Sequence, residues 1–307
     1  MHPSGTVRQR LGLQILFDFS SITDAIGFCA DHGLAVLEIN LGNIDFQQQL
    51  ADSRERKRIR AAALRQDVAL AIHAVDGPSF FIPNDKVRAC AVRLLRQELD
   101  WARGIGARNV IMHLGFDMNF GMDGRAPGAS QMSEGRGQKS EVRTPESGGG
   151  RGRYTHQQFP DYYAAALREA LTELKAYARG RARLCVENVG GFRYGLTPPI
   201  LGRLLGGNLG LCLDVGHLNI QPPKQRGKEL AFYRKHRRSI FHSHVHDNSG
   251  LRDEHSALGR GRIDFLPFFR LLEKTEALVV FEVRPKESAL ESLRYFEKEI
   301  EPHLYRK

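Results

Sequence analysis

Several things are scarce in this sequence, and each scarcity narrows the reading. No apolar run approaches the roughly 18–20 residues that a membrane-spanning helix needs. Cysteine is rare, with four among 307 residues. Cys29, Cys90, Cys185 and Cys212 form no CxxC pair, which argues against both a disulfide frame and a zinc ribbon. Each lies in an apolar helix or strand pattern, so all four are expected to be reduced and buried. The opening MHPSGTVRQRLGLQILF lacks an apolar signal core with a small-residue cleavage site, so a cytoplasmic protein is expected. The turn after the first apolar run, FDFSSITD, lacks the glycines of a dinucleotide-binding phosphate loop. Acidic residues are also outnumbered, 35 against 45 basic, giving a net charge of +10. That balance suits a polyanionic partner or a phosphorylated substrate. The excess is mostly arginine spread over helices, as in ERKRIR (55–60) and RKHRR (234–238), which describes a solvated face.

What is present is a regular alternation of short apolar runs and longer amphipathic ones. Strands are expected at 11–17, 35–41, 68–75, 109–115, 183–189, 209–218, 240–247 and 277–283. Helices are expected at 21–31, 51–66, 84–103, 160–178, 224–237, 263–274 and 285–300, with a short one starting at Thr197–Pro198–Pro199. Ser20 or Ser21 and Asn84 or Asp85 are candidate N-caps, and Gly33, Gly104 and Gly106 are stop signals. The rhythm breaks once, at 116–156, a stretch rich in Gly, Ser and Arg that reads as a flexible insertion. Eight strands with intervening helices predict one (β/α)8 barrel spanning 1–307.

The polar residues inside the apolar pattern are selective. His73, His113, Glu187, Asp214, His244 and Glu282 fall at or near the C-terminal ends of six different strands. In a parallel barrel these ends form one rim, where the active sites of this architecture lie. Ile240–Gly261, IFHSHVHDNSGLRDEHSALGRG, is the densest stretch. Alternation puts His242, His244 and His246 on one strand face, with Asp253 and His255 in the loop beyond. His217, Asp253 and His255 adjoin the same rim. Imidazoles and carboxylates in such numbers suit divalent metal ions, zinc or manganese, between one and three of them. Two chemistries remain open: several ions could stabilise the oxygens of a phosphate ester, or one ion could polarise a sugar while glutamates move a proton.

Four motifs, CVENVGG (185–191), CLDVGHLN (212–219), HVHDNSGLRDEHSALGRGRIDF (244–265) and VVFEV (279–283), resemble the xylose isomerase-like TIM barrels. That superfamily comprises sugar (phosphate) isomerases and epimerases and the family-2 AP endonucleases. The resemblance runs from about residue 11 to 300. By likeness to the endonuclease branch, His73, His113 and Glu187 would hold one zinc ion. Glu187, Asp214, His244 and Glu282 would hold a second, and His217, Asp253 and His255 a third, with damaged DNA as substrate. The likeness to the isomerase branch implies a single ion on Glu187, Asp214, His244 and Glu282, the two glutamates doubling as acid and base on a small sugar or sugar phosphate. HAVDGPSF (73–80) lacks the endonuclease's tyrosine, VGHLNIQPP (215–223) lacks its continuation, and the loop from His244 to Asp253 is shorter. These loops are more similar to the isomerase/epimerase-like proteins. Asn188, Asn248, Arg260 and Arg284 are the expected substrate contacts, with Arg252 a weaker one. His242 and His246 are possible added ligands or supporting donors, and Glu38 is assigned no chemistry.

Overall fold

The computed structural model describes residues 5–117 and 155–304. Eight parallel strands close into a barrel in sequence order. They are β1 (Leu11–Ile15), β2 (Val36–Asn40), β3 (Ala69–His73), β4 (Asn109–Met112), β5 (Arg183–Glu187), β6 (Leu209–Asp214), β7 (Ile240–Val245) and β8 (Leu278–Phe281). The helices are α1 (Ile22–Asp31), α2 (Ile44–Ala51), α3 (Ser53–Arg65), α4 (Asp85–Ile105), α5 (Thr155–Gln158), α6 (Pro160–Ala178), α7 (Thr197–Leu204), α8 (Val215–Asn219), α9 (Pro223–Lys235), α10 (Leu266–Leu272), α11 (Lys286–Tyr295) and α12 (Glu301–Leu304). This is the expected (β/α)8 barrel. The bulk of the expected 116–156 insertion, residues 118–154, lies outside the described residues.

Alternation along each strand separates two cores. Leu13, Ile15, Leu37, Ile39, Ile72, Val110, Val186 and Leu213 face the helices and join the large outer core. The inward set is smaller and layered, as barrel interiors are. Ala71, Ile111, Cys185, Cys212 and Phe241 pack together, and so do Val36, Leu278 and Val280. Gly12 belongs to this inner set because a Cβ there would lie 2.2 Å from the Val36 carbonyl oxygen. Nearer the C-terminal ends the inward positions turn polar.

Local signals account for many boundaries. Ser21 caps α1 by accepting the Asp24 N–H, and Asn84 caps α4 by accepting from Lys86 and Val87. Gly106 closes α4 in the left-handed conformation. Other boundaries differ from expectation. The helix expected at 51–66 is α3, which starts at Ser53 because Asp52 is extended and caps it by accepting the Arg54 N–H, and α2 precedes it where no helix was expected. Helix α10 is shorter than its expected 263–274. Cys90 is exposed, a correction to the expectation that all four cysteines are buried. It lies on the outer side of α4, where the Arg93 guanidinium approaches its sulfur at 2.8 Å.

One irregularity bears on the site. Between β6 and β7 the pairing runs Leu211 with Ile240, then Cys212 with His242, skipping Phe241. From there Leu213 pairs with Ser243 and Asp214 with His244.

Candidate metal centre

Glu187 ends β5 and Asp214 ends β6, while His113 and Glu282 stand just past β4 and β8. His217 is on the short helix α8, not in a loop. All five side chains converge on the end of β7, where His244 is fully buried. The ring nitrogen Nδ1 of His244 lies 3.1 Å from Glu282 Oε2, 3.4 Å from Glu187 Oε2 and 3.7 Å from Asp214 Oδ2.

Two of these carboxylates are anchored by one oxygen and aimed by the other. Asp214 Oδ1 caps α8 by accepting the His217 N–H at 2.6 Å. Glu282 Oε1 accepts from the Gln14 amide at 2.9 Å. The remaining atoms, Asp214 Oδ2, Glu282 Oε2 and His244 Nδ1, are buried and have no hydrogen bond. Leaving one buried polar atom unpaired costs about 1–3 kcal/mol, and three aimed at one another define a site for a cation. Their spacing suits donors around one ion with metal–ligand distances of about 2.0–2.2 Å. The residues present therefore fit a divalent metal, which Glu187, Asp214, His244 and Glu282 would hold.

The flanking residues extend this cluster on both sides. Glu187 Oε2 lies 3.2 Å from His113 Nε2 and 3.4 Å from His73 Nε2, and His113 Nδ1 contacts Asp76 at 2.8 Å. On the other side His217 Nδ1 is 2.9 Å from Glu187 Oε1, and its Nε2 is 2.9 Å from Asp253. Asp253 reaches His255 at 3.3 Å and His246 at 3.6 Å. His246 Nε2 also lies 3.3 Å from Asp214 Oδ1, and neither of its ring nitrogens has a hydrogen bond. All nine metal-ligand candidates singled out in the sequence are thus joined in one contact network.

Electrostatics follow from this crowding. Burial works against the charge on each carboxylate. The imidazoles of His113 and His244 outweigh it at Glu187 and hold that carboxyl well below its usual range. His217 and His246 do the same for Asp214, and His244 brings Glu282 to about 2. Burial likewise opposes the imidazolium of His113, but Glu187 and Asp76 hold its pKa up at about 10. Against burial, Asp253 holds His255 at about 9. The site is built around a positive charge at its middle. A divalent ion would supply that charge and displace the protons.

The four expected substrate contacts divide. Arg284 is half-buried at the rim and donates to the Gln14 side-chain oxygen. Arg260 is turned outward to Glu291 on α11 and is exposed. Asn188 is fully buried, accepting the Asp214 N–H and donating to the Asp214 carbonyl, so it fixes the end of β6. Asn248 is equally buried, donating to the Gly216 carbonyl and accepting from Asn219. Two residues passed over in the sequence stand directly beneath the centre, Glu38 and Gln14. Their signal was a polar residue at an inward position of an otherwise apolar strand. At the opposite, N-terminal face a cavity of about 710 Å³ opens beside Arg10, Arg108 and Arg183. Arg183 there is paired with Glu276, and this face of a barrel carries stability more than chemistry.

A closed (β/α)8 barrel with acids and imidazoles massed on its C-terminal rim defines a class of barrels whose functional groups gather at that rim. Within it, residues 26–299 match the xylose isomerase-like TIM barrel family, and the chain belongs to that family. Among solved structures it is similar to a D-tagatose 3-epimerase-like protein, with 20% identity and a TM-score of 0.67 over 94% of this chain and 96% of that one. It is also similar to a Thermus thermophilus protein soaked with ZnCl2, with 24% identity and a TM-score of 0.62 over 93% and 96% of the two chains. A 3-keto-D-glucoside 4-epimerase from E. coli matches at 14% identity and a TM-score of 0.64 over 94% and 98%. Two uncharacterized proteins of Methanocaldococcus jannaschii share 35% identity over 80 residues and 33% over 101. Those matches span 26% and 30% of this chain, and 30% and 33% of the two relatives. Among the described residues no helix is long and apolar enough to cross a membrane.

Proposed function

We propose that this chain is a divalent-metal-dependent isomerase or epimerase of a small sugar or sugar phosphate. The observation that carries the reading is the pair Glu187 and Glu282. They come from β5 and the end of β8, three strands apart, yet both bring an oxygen within 3.4 Å of the same ring nitrogen. Glu187, Asp214, His244 and Glu282 would hold zinc or manganese. The ion, when bound, polarises the carbonyl and hydroxyl oxygens of the sugar.

The rest of the work falls to the chain. Both glutamates are held ionised, so either can take a proton from the carbon next to the carbonyl. The pair left on that carbon spreads onto the carbonyl oxygen. For isomerisation the glutamate that took the proton returns it at the neighbouring carbon. For epimerisation the other glutamate takes a proton from solvent and delivers it to the opposite face, and the first gives its proton back to solvent. Arg284, half-buried at the rim, is the candidate for a substrate hydroxyl or phosphate. The names of the similar epimerase structures and the family membership support this chemistry.

One observation favours a second reading, a multinuclear zinc phosphodiesterase acting on damaged DNA. His217, Asp253 and His255 form a contact chain running off Glu187, which a single-metal isomerase does not require.

The test is exchange of substrate C–H hydrogen with solvent deuterium across a panel of ketoses and aldoses. Exchange that disappears in Glu187→Gln and Glu282→Gln is expected. No exchange, together with three zinc ions per chain and nicking of abasic duplex DNA, would establish the second reading instead.

A further inference from the structure

Beneath the metal centre the barrel interior holds a buried polar column that the proposed reaction does not use. Glu38, His242 and His244 are all fully buried. Glu38 Oε2 lies 2.6 Å from His242 Nε2, and the same carboxylate meets His244 Nε2 at 3.1 Å. Gln14 donates to Glu38 Oε1 at 2.7 Å and to Glu282 Oε1 at 2.9 Å. A carboxylate in an apolar barrel is costly unless its oxygens are satisfied, and here Gln14 and His244 hydrogen-bond to it while His242 lies alongside.

Hydrogen-bond logic fixes the proton positions along this column. The Asn109 amide donates to the Phe241 carbonyl at 2.8 Å, so its nitrogen is the atom that faces His242 Nδ1 at 3.2 Å. His242 Nδ1 must then accept, and its hydrogen sits on Nε2, which lies near Glu38 but makes no hydrogen bond. Glu38 as a carboxylate can only accept. His244 therefore also carries its hydrogen on Nε2. Its other nitrogen, Nδ1, is the atom facing Glu187, Asp214 and Glu282, and it offers them a lone pair once its proton leaves.

We propose that Glu38 is the positioning residue of the metal centre: it fixes the ring and tautomer of His244 so that the metal is held through Nδ1. Metal-bound histidines generally give their second nitrogen to a carboxylate, which orients the ring and raises its basicity. The column has a further consequence. Gln14 ties Glu38 to Glu282, so one amide aligns the supporting carboxylate with the acid–base one. This proposal rests on His244 being a metal holder.

The experiment uses Co2+ as probe on the full chain, with affinity read by chelator competition and ligand geometry by the visible spectrum. Glu38→Gln keeps the side-chain shape and removes the charge. It is expected to weaken Co2+ binding about 10–100-fold and to alter the visible band, with far-UV circular dichroism unchanged. Wild-type affinity and spectrum in Glu38→Gln overturn the proposal. His244→Gln is measured alongside. If it binds Co2+ like wild type, the metal-centre reading itself has failed, a result separable from the first. If Glu38→Gln does not fold, the unaltered protein still decides. With 15N-labelled histidine and 113Cd2+, coupling to His244 Nδ1 supports the proposal and coupling to Nε2 overturns it.

Discussion

Glu98 offers a sharp test of the electrostatic reasoning away from the metal centre. It lies on the inner face of α4 and is 1% exposed. Its Oε1 accepts the Val75 N–H at 3.1 Å, while its Oε2 has no hydrogen bond. Burial dominates, and the carboxyl is pushed up from 4.5 to about 7. A raised acid binds its proton more tightly in the folded state. Its stabilising contribution is complete below the unfolded pKa of 4.5 and is lost as pH rises through about 7. A shift of that size corresponds to about 3 kcal/mol. Glu98→Gln keeps an oxygen for Val75 but places an unpaired amide N–H where Oε2 was, at a cost of about 1 kcal/mol. The variant is therefore expected to be about 1 kcal/mol less stable than wild type near pH 4.5 and about 2 kcal/mol more stable at pH 8. Urea unfolding of both proteins across this range reads the difference, and titrations common to both cancel. A difference that does not change with pH would refute the assignment of a buried, proton-retaining carboxyl.

Three further outcomes follow from the site. With His113 at about 10 and His255 at about 9, metal uptake must release protons, so apparent affinity rises from about pH 6.5 toward 9. Calorimetry in buffers of different ionisation enthalpy checks this, and pH-independent binding contradicts it. Gly216→Ala would set a Cβ 1.9 Å from His246 Cε1, forcing the ring aside. A stability loss of about 1–3 kcal/mol and weaker zinc binding are expected, measured by thermal melting with and without zinc. Tyr233→Phe removes the hydroxyl that donates to the Cys212 carbonyl at 2.7 Å and contacts Asn188 Oδ1 at 3.1 Å. A loss of about 1–3 kcal/mol is expected in urea unfolding, and no loss would show that water replaces it.

The barrel was legible because each strand is a short apolar run closed by turn residues. The rim was legible because His73, Glu187 and Asp214 interrupt such runs at the same end. Gln14 was missed for a physical reason: within LGLQI a single polar residue reads as a solvent-facing position, and only closure of the sheet turns that face inward. Glu38 was read as pointing toward the rim but given no chemistry, because the strand pattern does not show that His242 and His244 stand beside it. The motifs that carry Asn188 and Asn248 do not reveal the backbone hydrogen bonds these side chains make with Asp214 and Gly216. Arg260 sits in the same loop as Asp253 and His255, yet the pull of Glu291 on α11 takes it outward. Helix α2 went unread because IDFQQQLA is only eight residues long and lacks the charged pattern that marks α3.

The skipped residue between β6 and β7 sets the phase of the whole centre. Side chains in a strand alternate strictly, and a one-residue slip exchanges the two faces. With unbroken pairing from Leu211 and Ile240, Asp214 would stand beside Ser243, and the column of His242, His244 and His246 would turn toward the helices. Passing over Phe241 lets Asp214 meet His244 instead. No donor atom belongs to Phe241, yet its presence as an extra step in the strand selects which of two interleaved sets of side chains lines the barrel. The ligand chemistry is in this sense a counting result: the spacing of residues along β7, as much as their identity, decides whether histidine or serine faces the acids.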